Sequence, residues 1–214
     1  MTLAALEAFL ITRLAGPLPG AEVQRRFAPR PPHKGWAPEL VPEGARRAAA
    51  LLLLYPGADG PTIPLTVRHS EMPTHAGQVS LPGGRVDPGE DPAAAALREA
   101  DEEIGVRPAD VRIIGALSSL WIIVSNHVVY PYVGVADSRP SFALAAREVE
   151  ALVEAPFSHV RNAAHVKWMS RKRDGLHVDI PHFALDGREV WGATAMILGE
   201  FVNLFDTGFA PPDL

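Results

Sequence analysis

Leu3, Leu6, Leu10 and Leu14 recur at three- and four-residue spacing with Glu7 and Arg13 between them, which predicts an amphipathic helix over residues 1–16. Residues 17–42 hold many prolines and mixed charges and predict an irregular arm. Behind two basic residues, the apolar run 46–55 predicts a buried central strand. Further strands are expected at 63–68 and 78–81, and at the β-branched-rich stretches 111–120 and 128–135. An acidic, alanine-rich loop with a short helical region follows, up to Val160. Residues 165–170 and 176–183 predict a hairpin around 172–175, and 191–205 a closing helix. Strands alternating with three helices predict an α/β chain, a mixed sheet between helical layers. One domain is expected over 1–214, with 1–45 as helix and arm and 46–206 as core.

The remaining helix carries the chemistry. Asp91-Pro92 is a start signal, an Asp cap with proline where its missing N–H costs nothing. From there to Ile104 the residues are good helix formers, and Gly105 is a stop. At about 100° per residue, Ala93, Ala96, Leu97, Ala100 and Ile104 share one stripe. Glu99, Glu102 and Glu103 form the adjoining stripe, with Glu103 nearest the apolar boundary. Like charges at this spacing repel by a few tenths of a kcal/mol per pair, so something should compensate them. A hard divalent cation would; the ordinary alternative is a solvated acidic face. Pro82-Gly83-Gly84 follows the strand at 78–81, and paired glycines there let backbone approach a ligand closely, the alternative being a plain turn.

Composition excludes several classes. The 214 residues are 47% hydrophobic and 21% charged, enough for one sizeable core. A net charge of −5 argues against a nucleic-acid-coating surface. With no cysteine there is no disulfide, thiolate catalysis or cysteine zinc site. The first residues lack a basic start, and no run of about 18 apolar residues suggests a membrane span. A cytoplasmic location, without membrane or nucleic-acid partners, is the expectation.

From Gly84, five residues lead to Glu90; seven more lead to Arg98-Glu99-Ala100-Asp101-Glu102-Glu103-Ile104-Gly105-Val106. This resembles the Nudix box, with Ala100 in place of a larger aliphatic. The resemblance implies a Nudix fold and Mg²⁺ (or Mn²⁺) held by Glu99, Glu102, Glu103 and the Gly83 carbonyl. Gly84, Glu90, Arg98 and Gly105 would be structural members, Glu90 pairing with Arg98. The reaction implied is hydrolysis of a diphosphate linkage by metal-activated water. Glu102 is the first choice for general base, with catalytic Glu103 beside it and Glu148 as a later loop carboxylate; the alternative for Glu148 is a solvated loop acid.

Leu65-Thr66-Val67-Arg68, then Gly77-Gln78-Val79-Ser80-Leu81-Pro82-Gly83-Gly84, resembles the coenzyme A pyrophosphatase branch of that family, as do Trp191-Gly192-Ala193-Thr194-Ala195 and the early helix and arm. Arg68, Gly83 and Gly84 would then contact substrate, Arg68 with a plain surface-strand role as its alternative. The chain departs at Pro64, His69 and Leu81, and at Pro73, where the branch has an arginine able to hold a phosphate. Three readings follow: a coenzyme A or acyl-coenzyme A pyrophosphatase; a pyrophosphatase for another nucleoside diphosphate derivative, such as ADP-ribose or a dinucleotide; or a non-catalytic nucleotide sensor. A small nucleotide is the partner in each, and a homodimer is common among related enzymes. His177, Asp179 and His182 suggest a second metal cluster, but Pro181 puts His182 on the other side of the strand. Trp121, Ser125, Asn126 and His127 could shape a pocket or belong to the core.

Overall fold

The computed structural model describes residues 1–72, 75–173 and 175–213, so Pro73 and Asp174 lie outside the described residues. Its centre is β1 (Arg46–Gly57), apolar on both faces because both are covered. Ala49, Leu51, Leu53 and Tyr55 face one core with Ala95, Ala96, Ala100 and Ile104 of the box helix. Ala50, Leu52 and Leu54 face the other, with Leu6, Leu10, Leu198 and Phe201 from the first and last helices. A sheet with a helical layer on each side follows from this alternation.

The strand β1 runs parallel to the later strand His127–Val135, from Arg46 opposite His127 to Leu54 opposite Val135. In chain order β2 (Gly60–Arg68) follows β1 through a hairpin, then β3 (Val79–Ser80), β4 (Gly83–Arg85), β5 (Arg112–Ala116), β6 (Leu120–Ile122), β7 (His127–Val135) and β8 (Val149–Pro156). Together these make one mixed eight-stranded sheet in which β2 pairs with β3 and β8, and β4 with β1. A second sheet holds β9 (Val166–Arg173), β10 (Leu176–Leu185) and β11 (Arg188–Trp191). The helices are α1 (Leu3–Leu14), α2 (Gly20–Arg26), α3 (Pro92–Ile104), α4 (Phe157–Val160) and α5 (Ala193–Asn203).

Four local expectations are corrected. The arm is not wholly irregular: α2 forms inside it, docked by buried Val23 and Gln24, where Gln24 donates to the buried carboxylate of Glu200 on α5 at 3.0 Å. With α4 in the short helical region expected before Val160, the described residues hold five α-helices, where three are expected. The alanine-rich acidic stretch contains a full strand, β8, with Val149, Val153 and Ala155 buried and Glu150 and Glu154 outward. Pairing with β2 from Thr62–Pro156 to Arg68–Val149 overrides the helical bias of its alanines. The expected strand at 111–120 splits into β5 and the start of β6, with a register shift against β7 between Ile113 and Gly115. Trp191, expected to open the closing helix, instead ends β11, and α5 begins at Ala193.

Candidate functional site

The carboxylate helix α3 forms where its sequence says it should. Asp91 accepts from the N–H groups of Ala93 (3.1 Å) and Ala94 (3.2 Å), Pro92 opens the first turn, and Gly105 closes the helix in the left-handed conformation at φ 72°. Its buried stripe is Ala95, Ala96, Ala100 and Ile104, with Ala95 in the place expected of Ala93. A side chain at Gly105 would also meet Ala143 at 2.9 Å, because the loop leading to β8 crosses this helix end. That loop is tied down by Ala145 N–H donating to the Glu103 carbonyl at 2.9 Å.

Glu103 is the buried acid of the site, 4% exposed, and its Oε2 accepts the Gly83 N–H at 3.1 Å. Burial pushes its carboxyl up to about 7, while the Gly83 N–H and Arg68 pull the other way. Glu99 is also raised, chiefly by burial, with Arg98 opposing. Glu102 reaches solvent, its side chain 60% exposed.

The loop glycines permit this approach. A Cβ on Gly84 would lie 2.5 Å from the Glu99 carboxyl carbon, and one on Gly83 would lie 2.7 Å from Cα of Ala50. The paired glycines therefore let β4 lie flat between β1 and the glutamates.

Arg98 organises the remaining acids. Its Nε and Nη2 grip both oxygens of Glu90 at 2.9 and 3.1 Å, Nη1 donates to Glu99 at 2.9 Å and Glu102 at 3.0 Å, and Nη2 also donates to the Arg85 carbonyl at 2.9 Å. A planar five-donor fork suits this task and an ammonium would not. Arg98 is accordingly held above its ordinary pKa, first by Glu90, and Glu90 below its own, first by Arg98.

Among the described residues, no three His, Asp or Glu side chains already converge closely enough to hold a cation. At α3 the reason is visible, since Arg98 draws Glu99 and Glu102 while Glu103 turns to Gly83. The donor set still fits a hard divalent ion: three carboxylates on one helix beside the Gly83 backbone, one of them buried with only a single N–H for company.

Glu148 and Arg68 are both brought in, their charges acting on the Glu103 carboxyl. Glu148 sits in the turn just before β8, where its carbonyl accepts from His69 N–H at 2.8 Å. Arg68 ends β2, and its Nε is buried without a hydrogen-bond partner. His177, Asp179 and His182 stay apart in role: Asp179 exchanges backbone hydrogen bonds with Arg30, and His182 is buried. Trp121 donates to Asn126 at 3.2 Å across the β6–β7 turn, and its backbone binds Pro38, so this group braces the arm. Two neighbours missed from the sequence are Ser70 and Glu150, whose N–H to Oε2 bond of 3.2 Å ties the β2 exit to β8; only the pairing of those strands reveals it.

The family model for the NUDIX domain matches residues 44–172, from β1 through the site to β9. Nudix hydrolase 22, chloroplastic, of Arabidopsis thaliana is 35% identical over 179 residues, 78% of this chain and 58% of the relative. The Nudix hydrolase NudL of Yersinia enterocolitica is 32% identical over 151 residues, 70% of this chain and 77% of its own length. The chain thus spans little more than half of its Arabidopsis relatives, 58% of one and 56% of another, Nudix hydrolase 15, mitochondrial. A solved Ap4A hydrolase from C. elegans, in a binary complex, superposes with TM-score 0.43 at 24% identity over 50% of this chain and 77% of that one.

Proposed function

Because this chain belongs to the Nudix family of hydrolases, we propose that it cleaves the diphosphate linkage of coenzyme A or an acyl-coenzyme A, giving 3′,5′-ADP and a 4′-phosphopantetheine product. The observation that carries the reading is the seating of Glu103. It is a buried acid against the Gly83 N–H, with Glu99 and Glu102 on the same helix and Arg68 acting on it from β2. The coenzyme A choice rests on Leu65–Arg68 and Gly77–Gly84, which the fold sets side by side: Val67 pairs with Val79, and Arg68 N–H donates to Gln78 at 3.0 Å.

In this reading Glu99, Glu102, Glu103 and the Gly83 carbonyl hold Mg²⁺, with Mn²⁺ as the alternative. When bound, the cation lowers the pKa of a water and neutralises charge on the phosphoryl oxygens. Arg98 supports the chemistry by fixing Glu90 and the β4 loop to α3. Arg68 offers its partnerless Nε to a substrate phosphate. Glu102, exposed and paired with Arg98, takes the proton from the attacking water, and Glu148 is the second candidate for that role. A cytoplasmic location belongs to the same reading; among the described residues no helix is long and apolar enough to cross a membrane.

One feature favours a second reading, hydrolysis of ADP-ribose or a dinucleotide: Pro73 stands where the branch has an arginine. Product analysis by mass-resolved chromatography decides between them, using Mg²⁺ with coenzyme A, acyl-coenzyme A, ADP-ribose, NADH and dNTPs. Release of 3′,5′-ADP well above other turnover supports the first reading. Preferred cleavage of another compound transfers the chemistry to the second, and no cleavage of any removes both in favour of a nucleotide sensor.

A further inference from the structure

A cleft of about 450 Å³ lies beyond the carboxylates, between residues 76–79 and the second sheet. One wall is Gly77, Gln78 and Val79; the other carries Arg171 from β9 and Arg188, Glu189 and Trp191 from β11. The near wall is continuous with the site. Gly77 N–H donates to the Arg68 carbonyl at 3.0 Å, Arg68 acts electrostatically on Glu103, and Val79 is four residues from Gly83, at most about 14 Å of extended chain. A nucleotide with its diphosphate at α3 therefore has this cleft within reach.

The far wall is built to meet an anion. Arg171 is held by an ion pair to Glu189 at 2.9 Å, by its Nε donating to Met169 Sδ at 3.4 Å and by lying 5.9 Å from the centre of the Trp191 ring. Arg188 has no acid bound to it among the described residues. Glu189 is committed to Arg171, so this wall presents unmatched positive charge in a chain whose net charge is −5. Beside it, His182 pairs with Trp191 across β10 and β11; it is 6% exposed, and its Nδ1 has no partner. Glu189, Lys167 and Arg171 act electrostatically on that ring, which stands behind the cleft lining.

We infer that this cleft is a subsite for a phosphomonoester on the nucleoside end of the substrate, with Arg188 as its main cationic contact and Arg171, braced by Glu189 and Trp191, as the second. The inference rests on the pyrophosphatase reading and deepens it. Coenzyme A carries such a group, its ribose 3′-phosphate, whereas ADP-ribose and NADH do not. Discrimination for the monoester then resides in β9 and β11, and the arginine replaced by Pro73 is not required for it.

The test compares coenzyme A with dephospho-coenzyme A, which lacks only that phosphate, in the wild type and in Arg188→Ala and Arg188→Gln. Binding of adenosine 3′,5′-bisphosphate and AMP is measured alongside by calorimetry. The expected result is a fall of about tenfold in kcat/KM for coenzyme A, carried by KM with kcat held, and no change for dephospho-coenzyme A. The bisphosphate should lose affinity by a similar factor and AMP should not. Equal losses for both substrates, or variants that match the wild type, overturn the subsite while leaving the coenzyme A reading intact. Wild-type protein that ignores coenzyme A yet binds the bisphosphate through Arg188 leaves the subsite standing and removes the coenzyme A reading.

Discussion

The Gly83 N–H donates to Glu103 Oε2 at 3.1 Å, joining the glycine loop to the carboxylate helix across twenty residues of chain. This bond gives a buried acid its one close donor at the point where the Gly83 carbonyl is expected to serve as a ligand. It ties loop conformation to the charge of Glu103, because the N–H favours the ionised form that burial disfavours.

Substituting Glu103→Gln or Glu102→Gln keeps shape and hydrogen-bonding capacity while removing a charge. Turnover under saturating Mg²⁺ should fall about a hundredfold or more in each, with circular dichroism and melting behaviour close to wild type. Near-normal rates in both variants would refute the site assignment.

The raised Glu103 carboxyl makes metal-free stability depend on pH with a definite sign. Its folded pKa of about 7 lies above the ordinary 4.5, so the stability it contributes is fully present below pH 4.5 and is lost as pH rises through 7. In chelator, wild type should therefore lose up to about 3 kcal/mol relative to Glu103→Gln between those limits. Groups held low by arginines, such as Glu154 beside Arg139 and Asp206 beside Arg161, act in the opposite direction but cancel in that difference. Urea titrations at a series of pH values measure it, and parallel curves would contradict the burial of an ionisable Glu103.

Gly84→Ala places a methyl group against the Glu99 carboxyl, at 2.5 Å from its carbon. Relief requires the Glu99 carboxylate to swing away from Gly84 and Arg98, at a cost in stability of about 1 kcal/mol or less. Metal affinity by calorimetry should drop with it. A Glu99 that simply rotates without loss of either quantity would show that it has no fixed place in the site.

Glu200 tests the arm apart from the chemistry. Its carboxylate accepts from Gly20 N–H (3.2 Å) and Gln24 (3.0 Å), both buried, and from the half-buried Ser118 N–H (3.1 Å). Glu200→Ala should cost about 3–5 kcal/mol by leaving these donors unsatisfied, while kcat of the folded fraction stays within about twofold. Chemical denaturation and active-site titration separate the two effects.

The sequence by itself determined those features whose causes are local. The cap at Asp91, the stop at Gly105 and the glutamate stripe of α3 follow from one-turn interactions, and β1 shows its double burial in an unbroken apolar run. Pairing of Glu90 with Arg98 was legible too, from spacing that matches the family pattern. Tertiary structure alone decided what depends on distant partners. Pairing with β2 made a strand of the alanine-rich 149–156, and a buried Glu200, 180 residues from Gly20, made a helix inside a proline-rich arm. Long-range packing also decided how the three glutamates differ. Neighbours on one helix share a pattern, but the glycine loop and the loop to β8 seal Glu103 from water and leave Glu102 open to it. That contrast, one acid desolvated and one open to solvent, arises from burial, which periodicity can suggest but only the packed chain sets.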